Sequence, residues 1–278
     1  MVYTGTMNII KLKQHPKTFT RLFGISPDKF DTLVEQLHPL WMKAEAKRLH
    51  HARKIKQGGG RRYHLTLEEA VAMLLLYTRA YVTHLFLSAL FDTHESGICR
   101  YFARVRPSVE KVFDLPTRNA DLSEEEILKL IVDATEQRTE RRSSGCGYSG
   151  KKKAHTIKTQ IVVDRDGGIL HISASIPGNV HDKKLYDQSG VLLPDKALGD
   201  LGYLGTNLII PFKSSKFHQL TQRQKDHNTR HSRKRIIVEH VFASLKTFRI
   251  LADRFRGSLV NYHSYFLIVC GLRNLARA

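Results

Sequence analysis

Ile127-Leu128-Lys129-Leu130-Ile131-Val132-Asp133 is an apolar run, broken only by Lys129, that stops at a carboxylate. A short apolar run of this kind reads as a buried strand, although Ser123 with Glu126 could also cap a helical turn over residues 123–129. An ionised carboxylate inside the core is costly, so Asp133 is expected to leave the strand facing a cleft. Residues 155–164 and 168–176 alternate as two further strands around the turn Asp164-Arg165-Asp166-Gly167-Gly168, where aspartates are expected for local turn geometry. Residues 179–188 read as a helix, with Asp182 expected to cap it. Residues 196–200 and 207–212 read as short strands, and residues 220–247 and 260–277 as helices.

Three strands, a helix, a strand, a short strand and then helices is the element order of an RNase H-like domain, a mixed five-stranded sheet with flanking helices. In that order the first and fourth strands lie side by side and parallel. Asp133 would then stand beside Asp200, which ends the fourth strand in Ala197-Leu198-Gly199-Asp200-Leu201-Gly202-Tyr203. A helix crossing the same edge could bring Glu239 to them. Three converging carboxylates repel one another unless a cation sits between them, and hard oxygen donors suit Mg²⁺ or Mn²⁺. Such a set fits phosphodiester chemistry with two ions per active site. At about 100° per residue, Arg235, Glu239 and Lys246 fall within about 40° of one another on the long helix. Val238, Val241, Leu245 and Phe248 fall on another face.

Each acid also has a plain structural reading: a strand-end turn for Asp133, a glycine-flanked turn for Asp200, a surface ion-pair stripe for Glu239. Glu136, Asp164, Asp166 and Asp182 compete with them, and His181 with Asp182 is a candidate auxiliary pair.

The part before residue 120 reads as helical. Ser26-Pro27-Asp28 opens a helix followed by Phe30, Leu33, Val34 and Leu37 at helical spacing, and Thr66-Leu67-Glu68-Glu69 has the form of a capping box. Residues 44–63, rich in Lys, Arg and His and ending in Gly58-Gly59-Gly60-Arg61-Arg62, read as a mobile basic loop, either a linker or a nucleic-acid arm. Residues 82–113 read as a short helix, a break at 92–96 and a longer helix carrying Arg100, Arg104 and Arg106. That is a helix-turn-helix pattern, although two helices of a plain bundle would look alike.

The 278 residues are enough for two domains, divided here into 1–120 and 121–278. Apolar residues at 41 % can build a core, and 45 Lys and Arg against 26 Asp and Glu give a net charge of +19. Such an excess favours a polyanionic partner. Three widely spaced cysteines without C-x-x-C spacing support neither a disulfide framework nor a zinc site. No signal peptide is read at the N-terminus, and the longest apolar runs, 72–77 and 265–272, are too short to span a bilayer. A cytoplasmic, nucleoid-associated protein with no membrane partner is expected.

Three motifs in order resemble the insertion-sequence-five family of bacterial DDE transposases. They are Tyr148-Ser149-Gly150-Lys151-Lys152-Lys153-Ala154-His155-Thr156-Ile157-Lys158-Thr159-Gln160, Gly199-Asp200-Leu201-Gly202-Tyr203-Leu204-Gly205, and Arg235-Ile236-Ile237-Val238-Glu239-His240-Val241-Phe242 with Lys246. The block from His15-Pro16 to Asp31 resembles the family's N-terminal region, so the likeness spans nearly the whole chain. The resemblance implies an RNase H-like catalytic domain after a helix-turn-helix, a triad of Asp133, Asp200 and Glu239, and Mg²⁺ or Mn²⁺. It also implies cleavage at transposon ends and strand transfer into target DNA. Arg235, Glu239 and Lys246 match a wider signature whose tyrosine position is Ser232 here. The expected partners are double-stranded DNA, as terminal inverted repeats and target, and a homodimer or higher assembly on DNA. Arg61, Arg62, Arg100, Arg104 and Arg106 are expected to read the ends. Lys151, Lys152, Lys153, Lys158, Arg235 and Lys246 are expected to hold phosphates. The rival readings are a metal-dependent nuclease without strand transfer and a DNA-binding protein that has lost its chemistry.

Overall fold

The computed structural model describes residues 7–52, 64–113, 115, 130–140, 147–191, 193, 196–217 and 219–278. The chain falls into two compact units. One comprises residues 1–114, 248–250 and 264–278; the other comprises 115–247 and 251–263. A division by sequence position places the last helix wholly with the second half, whereas residues 264–278 pack with the first unit.

The first unit contains α1 (Ile9–Lys13), α2 (Pro16–Phe23), α3 (Pro27–Ala52), α4 (Leu67–Ala80), α5 (His84–Leu90) and α6 (Glu95–Phe113). Helix α4 is its centre: Ala70 through Thr78 are all buried, as expected of a helix that is apolar all round. It starts at a complete capping box, with Thr66 and Glu69 satisfying each other's backbone N–H groups, as the sequence pattern indicates. Phe19, Phe23 and Phe30 form an aromatic cluster between α2 and α3. Tyr265 lies against Tyr77, with ring centroids 5.7 Å apart.

The basic stretch 44–63 departs from the loop expectation over its first part. Helix α3 continues to Ala52, and Glu45, buried at 8 % exposure, accepts from Arg48 at 2.7 Å one turn on. An i,i+3 pair over a buried acid favours helix over coil. Arg61 and Arg62 lie outside the described residues.

In the second unit a five-stranded sheet is organised by one long central strand. Strand β3 (Ala154–Val163) pairs antiparallel with β1 (Ile131–Arg138), β2 (Gly147–Ser149), β4 (Ile169–Ile172) and β5 (Ile176–Pro177). The turn before β4 is held as the sequence suggests: the Asp164 carboxylate accepts from the backbone N–H groups of Asp166 and Gly168, both at 2.8 Å. Helix α7 (Asp182–Ser189) follows. Then come a 3-10 turn (Leu201–Tyr203), the long helix α8 (Gln222–Leu245), the short α9 (Arg249–Ala252), a second 3-10 turn (Leu259–Asn261) and α10 (Tyr262–Arg277).

The expected mixed sheet is present in reduced form. All the described ladders are antiparallel, and the parallel component among the described residues consists of the single bridges Ile131 to Leu198, Leu198 to Ile209 and Thr139 to Phe255. Leu198 exchanges backbone bonds with Leu130 and Val132 at 2.8 and 2.9 Å, and the chain then turns at Asp200. Immediately afterwards it enters a 3-10 turn, so a longer parallel ladder has no room to form. Leu130, Val132, Val162, Tyr186, Ala197, Tyr203 and Leu208 close the core beneath this edge.

Helix α8 begins at a second capping box, Thr221 with Gln224. The Thr-x-x-Gln pattern is present in the sequence, but the glutamine form is easily passed over for the glutamate form.

Candidate active site and nucleic-acid interface

Asp133 is the third of eight residues in β1, so the strand runs through it rather than ending there. Beyond it Thr135, Glu136, Gln137 and Arg138 find partners across the ladder in Thr159, Lys158, Ile157 and Thr156. The opposed Glu136 and Lys158 suit a cross-strand pair. The Asp133 side chain is 20 % exposed, and its Oδ2 accepts from Arg235 Nη2 at 2.9 Å. Burial pushes its carboxyl up to about 6; the Arg235 charge and the Ala134 N–H oppose that shift, and the negative charges of Asp200 and Asp182 add to it.

Asp200 follows the Leu198 bridge and caps the 3-10 turn, with Oδ1 accepting from Gly202 N–H at 2.8 Å. It therefore fills the structural role read from its flanking glycines and also stands in the acid cluster. Asp182 is the first residue of α7, whose N-cap His181 makes no side-chain cap bond. Its carboxylate turns inward instead of capping the helix, and Oδ1 accepts from Lys158 Nζ at 2.8 Å. Lys158, at 6 % exposure, also donates to the Val180 carbonyl at 2.8 Å and lies 3.3 Å from Glu136 Oε1. It is an internal cation of the site, not an exposed phosphate contact.

The Tyr203 ring closes the floor. Its hydroxyl is fully buried, has no hydrogen-bond partner among the described residues, and is held well above its ordinary pKa first by burial and then by Asp133, Asp182 and Asp200. Gly202 is required by close approach: a Cβ there would lie 2.4 Å from Asp182 Oδ2 and 2.9 Å from Asp200 Oδ1.

Glu239 is exposed on α8, one turn beyond Arg235. Among the described residues no three His, Cys, Asp or Glu side chains are grouped to hold an ion. Two of the acids are instead engaged by the protein's own cations, Arg235 on Asp133 and Lys158 on Asp182. The donor set nonetheless fits a divalent ion. Every candidate is a hard carboxylate oxygen, Asp133 carries an unfavourable charge that a cation would relieve, and a buried hydroxyl at the floor lacks a partner.

Of the three arginines on α6 only Arg100 is exposed. It folds back along the helix, donating to the Ser96 carbonyl and hydroxyl, both at 3.1 Å. Arg104 lines a groove with Lys43, Glu45 and Arg48 of α3. Arg106 stacks over Tyr265 at 5.2 Å from the ring centroid, facing into its own unit. Helical spacing imposes this: Ile98, Tyr101, Phe102, Val105 and Val109 are the buried stripe, and Arg106 falls beside it. Lys151, Lys152 and Lys153 are exposed at the turn between β2 and β3, and Lys246 is exposed as the C-cap of α8.

A family model described as DDE superfamily endonuclease matches residues 132–274, and one described as helix-turn-helix of DDE superfamily endonuclease matches residues 63–113. The chain belongs to the DDE superfamily endonucleases. It is 30 % identical over 283 residues to a probable transposase for insertion sequence element IS702 of Microchaete diplosiphon, covering 96 % of this chain and 98 % of that one. It is 28 % identical over 267 residues to a putative transposase for insertion sequence element IS112 of Streptomyces albus G, covering 94 % and 95 %. No solved structure matches it. These relatives establish a transposase, and the insertion-sequence-five grouping stays a resemblance carried by the quoted motifs. The transposase's helix-turn-helix match takes in α4, buried from Ala70 to Thr78, as well as α5 and α6. DNA is its partner, the DDE superfamily is metal-dependent, generally with Mg²⁺ or Mn²⁺, and no described helix is long and apolar enough to cross a membrane.

A stability test isolates the strain on Asp133. Its folded-state pKa, about 6, lies above the ordinary value of 3.8. Between these values the folded state binds more protons than the unfolded chain, so the wild type loses stability as pH rises from 4 to 6. Asparagine does not titrate and can still accept from Arg235. Metal-free Asp133→Asn protein is therefore expected to gain on the wild type as pH rises, reaching on the order of 2 kcal/mol near neutrality. Paired denaturant titrations at pH 4.5 and 7 check this; an advantage that does not grow with pH contradicts it.

Proposed function

We propose that this transposase binds the terminal inverted repeats of an insertion sequence, cleaves DNA at the element's ends and joins the freed 3′-hydroxyl to target DNA, with Asp133, Asp200 and Glu239 holding two divalent ions. The observation that carries this reading is the placement of Asp133 and Asp200 on neighbouring, parallel-bridged segments, beside the helix that bears Arg235 and Glu239. When bound, the ions would activate the attacking oxygen and neutralise charge at the leaving oxygen.

The chain's own residues supply the rest. Asp133 and Asp200 are fixed by the sheet edge and by the Gly202 cap, which preorganises them. Arg235 balances Asp133 in the free protein and is placed to meet a phosphate once that carboxylate is otherwise engaged. Glu239, one turn along, would complete the triad from α8. No hydroxyl or thiol nucleophile is called for, so no covalent protein–DNA intermediate forms.

Lys151, Lys152 and Lys153 would grip the DNA backbone at the β2–β3 turn, with Lys246 at the end of α8. Replacing the three lysines with alanine is expected to lower the slope of log affinity against log salt by about 0.9 for each phosphate left without its lysine, for at most about three phosphates. Binding isotherms at several salt concentrations measure it, and an unchanged slope removes the turn from the interface. Arg100 would reach the terminal repeat from α6. Two ends must meet, so a dimer or larger assembly on DNA is expected.

The test is cleavage and joining on DNA carrying the element's own end, with Mg²⁺, comparing wild type with Glu239→Gln. Cleavage and joining that both vanish in the variant support the proposal. Cleavage without joining by the wild type points to a simple nuclease. Full activity in the variant removes Glu239 from the site.

A further inference from the structure

Asp182 stands in the acid cluster but outside the proposed triad. Its carboxylate is divided between two tasks. Oδ1 is fixed by Lys158 Nζ at 2.8 Å, and Lys158 is itself tied to the Val180 carbonyl and lies close to Glu136. Oδ2 is turned the other way, toward Gly202, where the missing side chain leaves it and Asp200 Oδ1 facing the same small space. Both oxygens pack against the bare backbone of Gly202, 2.4 and 2.9 Å from where its Cβ would stand, so any larger residue there would displace one of the two carboxylates and undo their convergence.

Two further observations bear on what the space is for. Four acids, Asp133, Glu136, Asp182 and Asp200, are balanced by only two cations, Lys158 and Arg235, among the described ion pairs. Independently, the Tyr203 hydroxyl is fully buried at the floor of the same cluster without a hydrogen-bond partner among the described residues. A purely structural salt-bridge network would pair its half-buried charges and satisfy a fully buried hydroxyl, because an unsatisfied buried polar group is costly and unbalanced charge close to the core is unfavourable.

We infer that Asp182 is a fourth acidic ligand of the divalent ions held by Asp133 and Asp200, presenting Oδ2 to the ion while Lys158 holds Oδ1. This rests on the assignment of Asp133 and Asp200 as metal ligands made above. It also gives the Gly202 position a chemical reason: the bare backbone lets two carboxylates reach one ion.

The experiment titrates Mn²⁺ into the full-length protein without DNA and follows the free ion by electron paramagnetic resonance. Wild type is compared with Asp200→Asn, Asp182→Asn and Asp182→Cys, after circular dichroism has shown which variants fold. Asp182→Asn is expected to bind Mn²⁺ roughly 10- to 100-fold more weakly. Asp182→Cys is expected to lose Mn²⁺ affinity and gain Cd²⁺ affinity over wild type, with a thiolate-to-metal charge-transfer band, because a soft sulfur prefers the softer ion. If Asp200→Asn loses Mn²⁺ while both Asp182 variants bind Mn²⁺ and Cd²⁺ as wild type does, Asp182 is not a ligand and the triad assignment stands. If no variant changes Mn²⁺ binding, both assignments fall. If Asp182→Asn does not fold, the cadmium band of Asp182→Cys decides: its presence supports ligation, and its absence overturns it.

Discussion

Asp200→Asn protein is expected to retain its fold and lose DNA cleavage by at least about 10³-fold, the equivalent of about 4 kcal/mol of barrier. The two halves of that result have separate causes. Asparagine keeps a carbonyl oxygen where Asp200 Oδ1 accepts from Gly202 N–H, so the turn after the Leu198 bridge survives. What disappears is the negative charge on a residue that shares its surroundings with Asp133 and Asp182. Asp200→Ala is the useful comparison. It removes the charge and the cap together and should cost about 1 kcal/mol of stability as well. Melting curves and a nicking assay on the same preparations separate the two roles. Cleavage by folded Asp200→Asn at wild-type rate would take Asp200 out of the chemistry.

Lys158→Met is expected to be the most damaging single change to the catalytic unit's stability, by roughly 2–4 kcal/mol, because it leaves two half-buried acids without their cation. Lys158 is 6 % exposed and contacts Asp182, Glu136 and the Val180 carbonyl, joining β3, β1 and the segment leading into α7. Methionine is close to it in volume, so the loss would report charge and hydrogen bonding more than packing. Glu136→Gln combined with Lys158→Met should recover part of the loss, since one stranded charge is then removed. Denaturant unfolding of the wild type, the single variant and the pair measures this directly. A single variant within about 0.5 kcal/mol of wild type would show that water reaches these acids freely.

Lys158 also marks where sequence patterns stop being informative. In the run Lys151-Lys152-Lys153-Ala154-His155-Thr156-Ile157-Lys158 all four lysines read as phosphate contacts. Three of them lie on a turn and are exposed; the fourth lies inside a ten-residue central strand and is buried. Its position between Thr156 and Gln160 in a strand bordered on both sides is the available signal, because a cation there must have acids opposite it. The arginines of α6 carry the same lesson. Their number suggests DNA, but helical periodicity turns Arg106 onto Tyr265 and leaves Arg100 outside.

The sequence by itself determined most of the helices and the strands near Asp133, at 155–164 and at 168–176, but not β2, and it placed strands at 196–200 and 207–212 where only single bridges form. The capping-box pattern marked the start of α4, one apolar face marked α8, the Asp164 turn followed from local backbone chemistry, and the helix-turn-helix followed from a break between two helical segments. It also singled out Asp133 and Asp200, because a carboxylate beside a buried strand is conspicuous. These signals are local, carried by residues within a few positions of one another. Only the tertiary structure decided what depends on distant partners: the β1 ladder running past Asp133, the last helix packing with the first unit, and Asp182 turning to Lys158 instead of capping α7. Lys158 and Asp182 are 24 positions apart and Asp133 and Arg235 are 102 apart, and no periodicity records such pairings. They arise when the sheet edge closes and each buried charge must find an opposite one.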